Sequence, residues 1–286
     1  MAGDWPDLPY AAWRNTRDTL HMYLQIIGKV RLALAPMEPQ WGQVPLYVTA
    51  RGLNTSPIPH ENGVFDIDVD LVDHVVSVRT AAGALERVTL EPRSVAEFYA
   101  LLMAALDRAG VPVRITERPS EVSNPIPFPE DVEHASYDPE PVTRFRRALA
   151  TVDAVMKEHR ARFLGRVTPV QFFWGTFDLA CTRFSGRPAD PPPDADVIMR
   201  NSANAEEVCA GFWPGDERFP EPAFFAYAYP RPPRIEARAE GWNEEMGLFV
   251  LTYEAARSSG DPRRAVLDFL ERTYAAAGWD PALEAK

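Results

Sequence analysis

Leu24-Gln25-Ile26-Ile27-Gly28-Lys29-Val30 closes one helical stretch of the chain, and Arg162-Phe163-Leu164-Gly165-Arg166-Val167 closes another. An apolar strand follows each, and then a Thr/Arg pair: Thr49-Ala50-Arg51 in the first half, Thr182-Arg183 in the second. Residues 52–65 and 211–224 are stretches of equal length that open on Gly and end on Phe. Each leads into an alternating strand, and each half finishes in a helix. This order predicts an α+β fold of two related halves, each a mainly antiparallel sheet with flanking helices, as an internal duplication would leave. The halves are residues 1–118 and 138–286. A Pro-rich, acidic connection spans 119–137. Together they are expected to form one compact unit, with any site where the halves meet.

Around this frame, Tyr10, Trp13, Leu20, Tyr23, Leu24 and Ile27 recur at helical spacing, and Gly28 stands as a C-terminal stop. Residues 29–34 alternate basic and apolar, as a strand would. Further strands are expected at 46–51, 65–71, 75–79, 87–90 and 113–116, and in the second half at 170–174, 177–184, 208–212, 223–229 and 248–251. Ser94 with Glu97 forms a capping-box start for a helix to about residue 109. Asp138-Pro139 and Asp261-Pro262 open two more helices. If the halves are related, residues 187–205 are an extra segment of the second, and 186–194 is a loop.

The chain of 286 residues is 46% hydrophobic and 25% charged, the make-up of a globular protein with a substantial core. Its net charge of −11 argues against a nucleic-acid partner. The N-terminus, Met1-Ala2-Gly3-Asp4-Trp5-Pro6, has no basic region followed by an apolar run, and the apolar run 99–106 is too short to span a bilayer. No membrane partner is therefore expected. Two cysteines, Cys181 and Cys209, sit in apolar strand-like segments, which fits a reducing cytoplasm rather than a disulfide framework. There is no Walker-type loop, dinucleotide fingerprint, nucleophile elbow or zinc spacing. The sequence names no cofactor, and no metal is expected.

Four constellations carry chemistry. Asp66, Asp68 and Asp70 alternate with Ile67, Val69 and Leu71, so the carboxylates share one strand face; this suits a cation or acid/base site, or a solvated sheet face. Leu71 stands where a calcium loop needs Gly. His21, Gln25 and Lys29 fall four apart and can present polar groups to a cavity, or be satisfied on a helix surface. Arg51 and Arg183 suit anion recognition or structural ion pairs. Asp178 lies an odd number of residues from Arg183, hence on the opposite strand face. The aromatic patches are the densest signal: Phe172-Phe173-Trp174, Phe212-Trp213, and Phe224-Phe225 with Tyr227 and Tyr229. Phe225, Tyr227 and Tyr229 share a face that can line a pocket or form ordinary core. Cys181 and Cys209 read as buried, inert thiols.

The segments Gly28-Lys29-Val30-Arg31-Leu32-Ala33-Leu34, Pro45-Leu46-Tyr47-Val48-Thr49-Ala50-Arg51-Gly52-Leu53, Phe172-Phe173-Trp174-Gly175-Thr176-Phe177-Asp178-Leu179 and Gly211-Phe212-Trp213-Pro214-Gly215 together resemble a bacterial family of uncharacterised proteins, catalogued as a domain of unknown function. The resemblance covers nearly the whole chain and implies one continuous unit. It transfers no activity or cofactor. It implies that relatives commonly carry His where this chain has Gln171.

The expected function is that of a cytoplasmic protein binding a small anionic or amphipathic molecule in an aromatic-lined pocket between the halves. His21, Gln25, Lys29, Arg51, Trp174, Arg183, Trp213, Phe225 and Tyr227 are the expected contacts. One alternative is an enzyme using the same pocket, with His21 as acid/base and Asp66 or Asp178 as its carboxylate. Another is a protein-interaction or homodimer module with an exposed aromatic face.

Overall fold

A computed structural model describes residues 4–279, so Met1 to Gly3 of the N-terminal reading lie outside the described residues. The first helix, α1 (Tyr10–Leu34), does not stop at Gly28; it continues through the segment that reads as a strand. Residues 19–31 are all buried, so this part of the helix is enclosed on every side. The alternation of residues 29–34 therefore reflects basic side chains that find partners inside the fold. Arg31 is one of them. Its guanidinium donates to the carbonyls of Gln43 (2.5 Å) and Pro45 (2.7 Å), and to that of Thr55. Gly28 is retained for packing: a Cβ there would meet the Trp174 indole at 2.2 Å.

The first sheet contains β1 (Tyr47–Val48), β2 (Gly52–Asn54), β3 (Ile58–His60), β4 (Gly63–Asp70), β5 (Val75–Thr80) and β6 (Leu85–Thr89). All pairings are antiparallel, in the order β1-β2-β4-β5-β6. Beside β2, β3 takes the other end of β4, pairing Ile58 with Phe65. Helix α2 (Val95–Arg108) follows, and Ser94 Oγ accepts from the Glu97 amide at 3.2 Å as its cap. Residues 113–116 are irregular rather than a strand, and the connection 119–137 contains only a 3-10 turn at Phe128–Glu130. That connection is anchored, since Phe128 and Asp131 are both 0% exposed.

Helix α3 (Pro139–Ala161) starts at the Asp138 cap. The second sheet contains β7 (Gln171–Phe173), β8 (Asp178–Pro188), β9 (Ala205–Trp213), β10 (Ala223–Tyr229), β11 (Trp242–Asn243) and β12 (Leu248–Thr252). It is antiparallel in the order β11-β12-β10-β9-β8-β7. A short helix, α4 (Val197–Ser202), falls in the segment expected to be extra; α5 (Tyr253–Arg257) and α6 (Pro262–Ala276) close the chain. The fold is α+β with two halves, each containing a mainly antiparallel sheet. Leu46 and Phe172 join them by a reciprocal backbone pair at 2.9 and 2.8 Å, and one apolar cluster includes Ile27, Val69, Phe98, Phe145 and Phe212.

The matched segments of the two halves occupy unlike places. Gly52 opens β2, while Gly211 lies within β9. Arg51 is exposed in a turn and paired with Asp70 (2.5 Å) and Asp73 (2.7 Å), whereas Arg183 is 1% exposed and inside β8. The Thr/Arg matches therefore mark no common role.

Gly28→Ala tests the helix–indole packing. Alanine is the better helix former by about 1 kcal/mol in an open helix. Against the fixed indole we expect overpacking to win, with a net loss of about 1–3 kcal/mol seen as a lower urea midpoint. An unchanged or higher midpoint counts against this packing account.

Candidate functional site

Strand periodicity sorts the side chains of β8, β9 and β10 onto two faces. Leu179, Cys181, Ala210, Phe212, Phe224 and Ala226 enter the main core. Asp178, Ala180, Thr182, Glu207, Cys209, Trp213, Phe225 and Tyr227 point the other way and line a cavity of about 610 Å³. Lys29 and Leu32 of α1, Trp41, Val44, Ser120 and Glu121 cover one part of it. Val197, Ile198 and Ser202 of α4 cover another. Trp41 Nε1 donates to the Ile198 carbonyl at 2.9 Å and ties these two parts together. Both halves and the connection thus contribute walls.

Register orders the floor. Ala180 lies beside Gly211, which lies beside Phe225; Thr182 lies beside Cys209, which lies beside Tyr227. Glu207 follows, between Phe184 and Tyr229. The Phe225 ring lies across Gly211, where a Cβ would come within 2.5 Å of it. The missing side chain allows an aromatic ring to lie flat on the sheet.

The polar stripe of α1 does form, and its side chains bond to the groups that build the cavity wall. His21 Nε2 donates to the carbonyls of Trp174 (2.9 Å) and Gly175 (3.0 Å). Burial lowers its pKa to about 3, so it stays neutral. Gln25 accepts from the Ser120 amide at 3.0 Å and donates to the Ser120 carbonyl at 2.7 Å. Lys29 Nζ donates to Ser120 Oγ at 2.9 Å and lies 5.6 Å from the Trp174 ring centre. The Trp174 Nε1 donates to the Val44 carbonyl at 2.9 Å. The stripe holds the cavity wall in place from behind.

Six expected residues line the cavity: Lys29, Trp174, Asp178, Trp213, Phe225 and Tyr227. His21, Gln25, Arg51, Arg183 and Asp66 do not. His21 and Gln25 are consumed by backbone groups, and His21 is bonded to neither Asp66 nor Asp178. Arg183 lies below the floor, because its odd spacing from Asp178 sends it to the opposite face. There it donates to Glu271 (3.3 Å) and to the His159 carbonyl, with its guanidinium 4.4 Å from the Tyr274 ring centre. Burial alone would raise the Glu271 pKa, but the His159 hydrogen bond and the Arg183 charge bring it down to about 2. Asp66 pairs with Arg79 at 2.8 Å, which places the Asp row on a sheet face compensated by its neighbours. Among the described residues, no group of three or more His, Cys, Asp or Glu side chains is placed to hold a metal ion, and no helix is long and apolar enough to cross a membrane.

Three cavity groups escape simple motif reading: Glu207, Glu121 and the α4 roof. The signal for Glu207 lies in the alternation Glu207, Cys209, Gly211, Trp213 along β9. Glu207 is 6% exposed, and its side chain makes no hydrogen bond or ion pair with any described residue. Burial pushes its pKa up to about 8, only partly offset by Arg166. Asp178 is raised to about 7 by burial against the hydrogen bond from Thr176. Burial also raises Glu121, and it pushes the Cys209 thiol up to about 12. The Tyr227 hydroxyl is raised by its Cys209 neighbour and by burial.

A family model described as a family of unknown function, DUF5996, matches residues 5–284. The chain belongs to DUF5996. Comparison with curated proteins and with solved structures gives no match. In this DUF5996 member, Gln171, the position where the resemblance implies His in relatives, is 3% exposed on β7 and pairs with Ala180 of the cavity floor.

The buried carboxyl of Glu207 yields a prediction with a definite sign. In the folded chain it keeps its proton to about pH 8, whereas unfolded it releases it near 4.5. Its contribution to stability is therefore highest below the unfolded value, declines as pH rises between the two, and is constant above the folded one. Glu207→Gln removes that decline. We expect the variant to match the natural chain near about pH 4.5 and to exceed it by about 2–5 kcal/mol near about pH 9 in denaturant unfolding. An equal difference at both pH values rejects a proton held on Glu207.

Proposed function

We propose that this protein binds a small organic molecule in the cavity between the halves. The observation that carries the reading is Glu207, a buried and unpartnered carboxyl facing an aromatic-walled cavity of about 610 Å³. Buried polar groups are normally satisfied, and a cavity of this size suits a small ligand with a few oriented polar contacts. Trp174, Trp213 and Phe225 are 5%, 8% and 8% exposed and Tyr227 is 37% exposed, so three of the four rings support a recessed pocket over an aromatic docking face.

Binding is better supported than catalysis. The expected acid/base, His21, is neutral, and its Nε2 is held by the Trp174 and Gly175 carbonyls. Cys209 keeps its proton and is a poor nucleophile. An anionic ligand also loses its two expected anchors, because Arg51 and Arg183 are paired with Asp70 and Glu271 away from the cavity. Two buried free thiols fit residence in a reducing cytoplasm.

Native mass spectrometry of freshly purified protein tests the reading. The natural chain is expected to carry a small-molecule mass that gentle collisional activation releases. Ala180→Phe, which fills the floor, should lose that mass while keeping a cooperative thermal transition. Natural protein that arrives empty and takes up no compound from a diverse small-molecule library would end the proposal.

A further inference from the structure

Glu207 and Asp178 stand at opposite ends of the cavity floor. Glu207 pairs with Phe184, while Asp178 begins the same strand; from Asp178 to Phe184 at about 3.3 Å per residue is roughly 20 Å of strand. The floor between them carries Ala180, Thr182 and Cys209, with the Phe225 ring lying across Gly211. Tyr227 continues this surface, its ring 6.4 Å from that of Phe225 and within 10° of parallel. The carboxyls lack cationic partners. Asp178 accepts from the Thr176 hydroxyl, and Glu207 has no side-chain bond. The cations near the rim are engaged elsewhere: Lys29 with Ser120, Arg218 with Asp216, Arg166 with Gln40.

We infer that the ligand is a linear organic cation with an ammonium group at each end, a diamine or polyamine, lying along the floor with its termini at Glu207 and Asp178. The inference rests on the small-molecule reading above and names its ligand class. A buried carboxylate supplies a charge-assisted hydrogen bond to each ammonium, the aromatic faces attract cations, and the methylenes between them cover Ala180 and Phe225. A ligand ending in carboxylates would find no cation to pair with at either end.

Binding must also displace protons. Glu207 and Asp178, raised to about 8 and about 7, are largely and partly protonated near neutral pH in the empty cavity, and an ammonium beside each favours the ionised form. Around Glu207, Cys209 and Tyr227 stay protonated, and the Arg166 charge favours the ionised carboxyl. Glu121 beside Asp178 is a further carboxyl that burial raises, and Lys29 of α1 is the cation on the facing wall. Affinity should therefore rise as pH increases through this range.

Isothermal titration of the full chain with spermine, decane diamine, decylamine and decanoate decides the matter. The two amines with terminal pairs are expected to bind at least about tenfold more tightly than decylamine, with decanoate weakest. Heats measured in two buffers of different ionisation enthalpy should show net proton release with the diamine. Glu207→Gln and Asp178→Asn should each weaken the diamine by at least about tenfold and reduce the released protons. If one variant fails to fold, the other and the ranking on the natural chain still decide. Decanoate binding as tightly as the diamine, or diamine affinity unmoved in both folded variants, overturns the inference and leaves the small-molecule reading standing. Protein that binds none of the four probes yet carries a mass lost in Ala180→Phe also overturns the inference alone. Protein that binds no probe, arrives empty and takes up no library compound overturns both.

Discussion

The indole of Trp174 seated on Gly28 is the contact on which the arrangement of the two halves depends. A Cβ on Gly28 would come within 2.2 Å of the ring, so the helix backbone and the indole are in direct contact. The indole N–H then reaches across to the Val44 carbonyl at 2.9 Å, in the segment leading to the first sheet. One side chain from the second half is thereby fixed on the central helix and on the first half at once. The Leu46–Phe172 backbone pair lies next to it and continues the junction. A protein interior is close-packed and cannot absorb a misplaced indole, so this seat sets where β7 and the strands after it must run.

The polar stripe of α1 completes the junction. Its polar atoms are inside, where each must find a partner or bear the desolvation. His21 holds the carbonyls of Trp174 and Gly175, and Gln25 and Lys29 hold the backbone and hydroxyl of Ser120. The irregular connection is bound to the helix in this way, although it contains little regular structure of its own. The groups that hold the wall are satisfied, whereas Glu207 on the floor is not. That contrast separates the scaffold from the proposed binding surface.

Much of the local architecture was legible. Ser94, Asp138 and Asp261 cap the helices expected of them, because a side-chain oxygen bonding the first free amides is a local interaction. The long strands β4, β5, β8, β9 and β10 fall where alternating apolar runs place them. Asp178 and Arg183, five residues apart on β8, take opposite faces for the same local reason. What misleads is Gly28, read as a helix stop. Its backbone freedom is unused, and only the arrival of Trp174 from far along the chain explains the residue. Residues 58–60 and 197–202 form elements without a strong pattern, since pairing to β4 and packing on the Trp41 turn stabilise them.

By itself the sequence determined the α+β class, the principal strands and helices, and which aromatic side chains share a face. These follow from periodicity and capping, which act over a few residues. Only the tertiary structure decided that α1 continues through Gly28, that Arg51 and Arg183 are engaged away from the cavity, and that Asp178 and Glu207 face the same one. Those outcomes depend on which distant groups reach a charge or a gap first. A buried charge takes whatever partner the fold brings to it, and a glycine serves whatever ring packs against it.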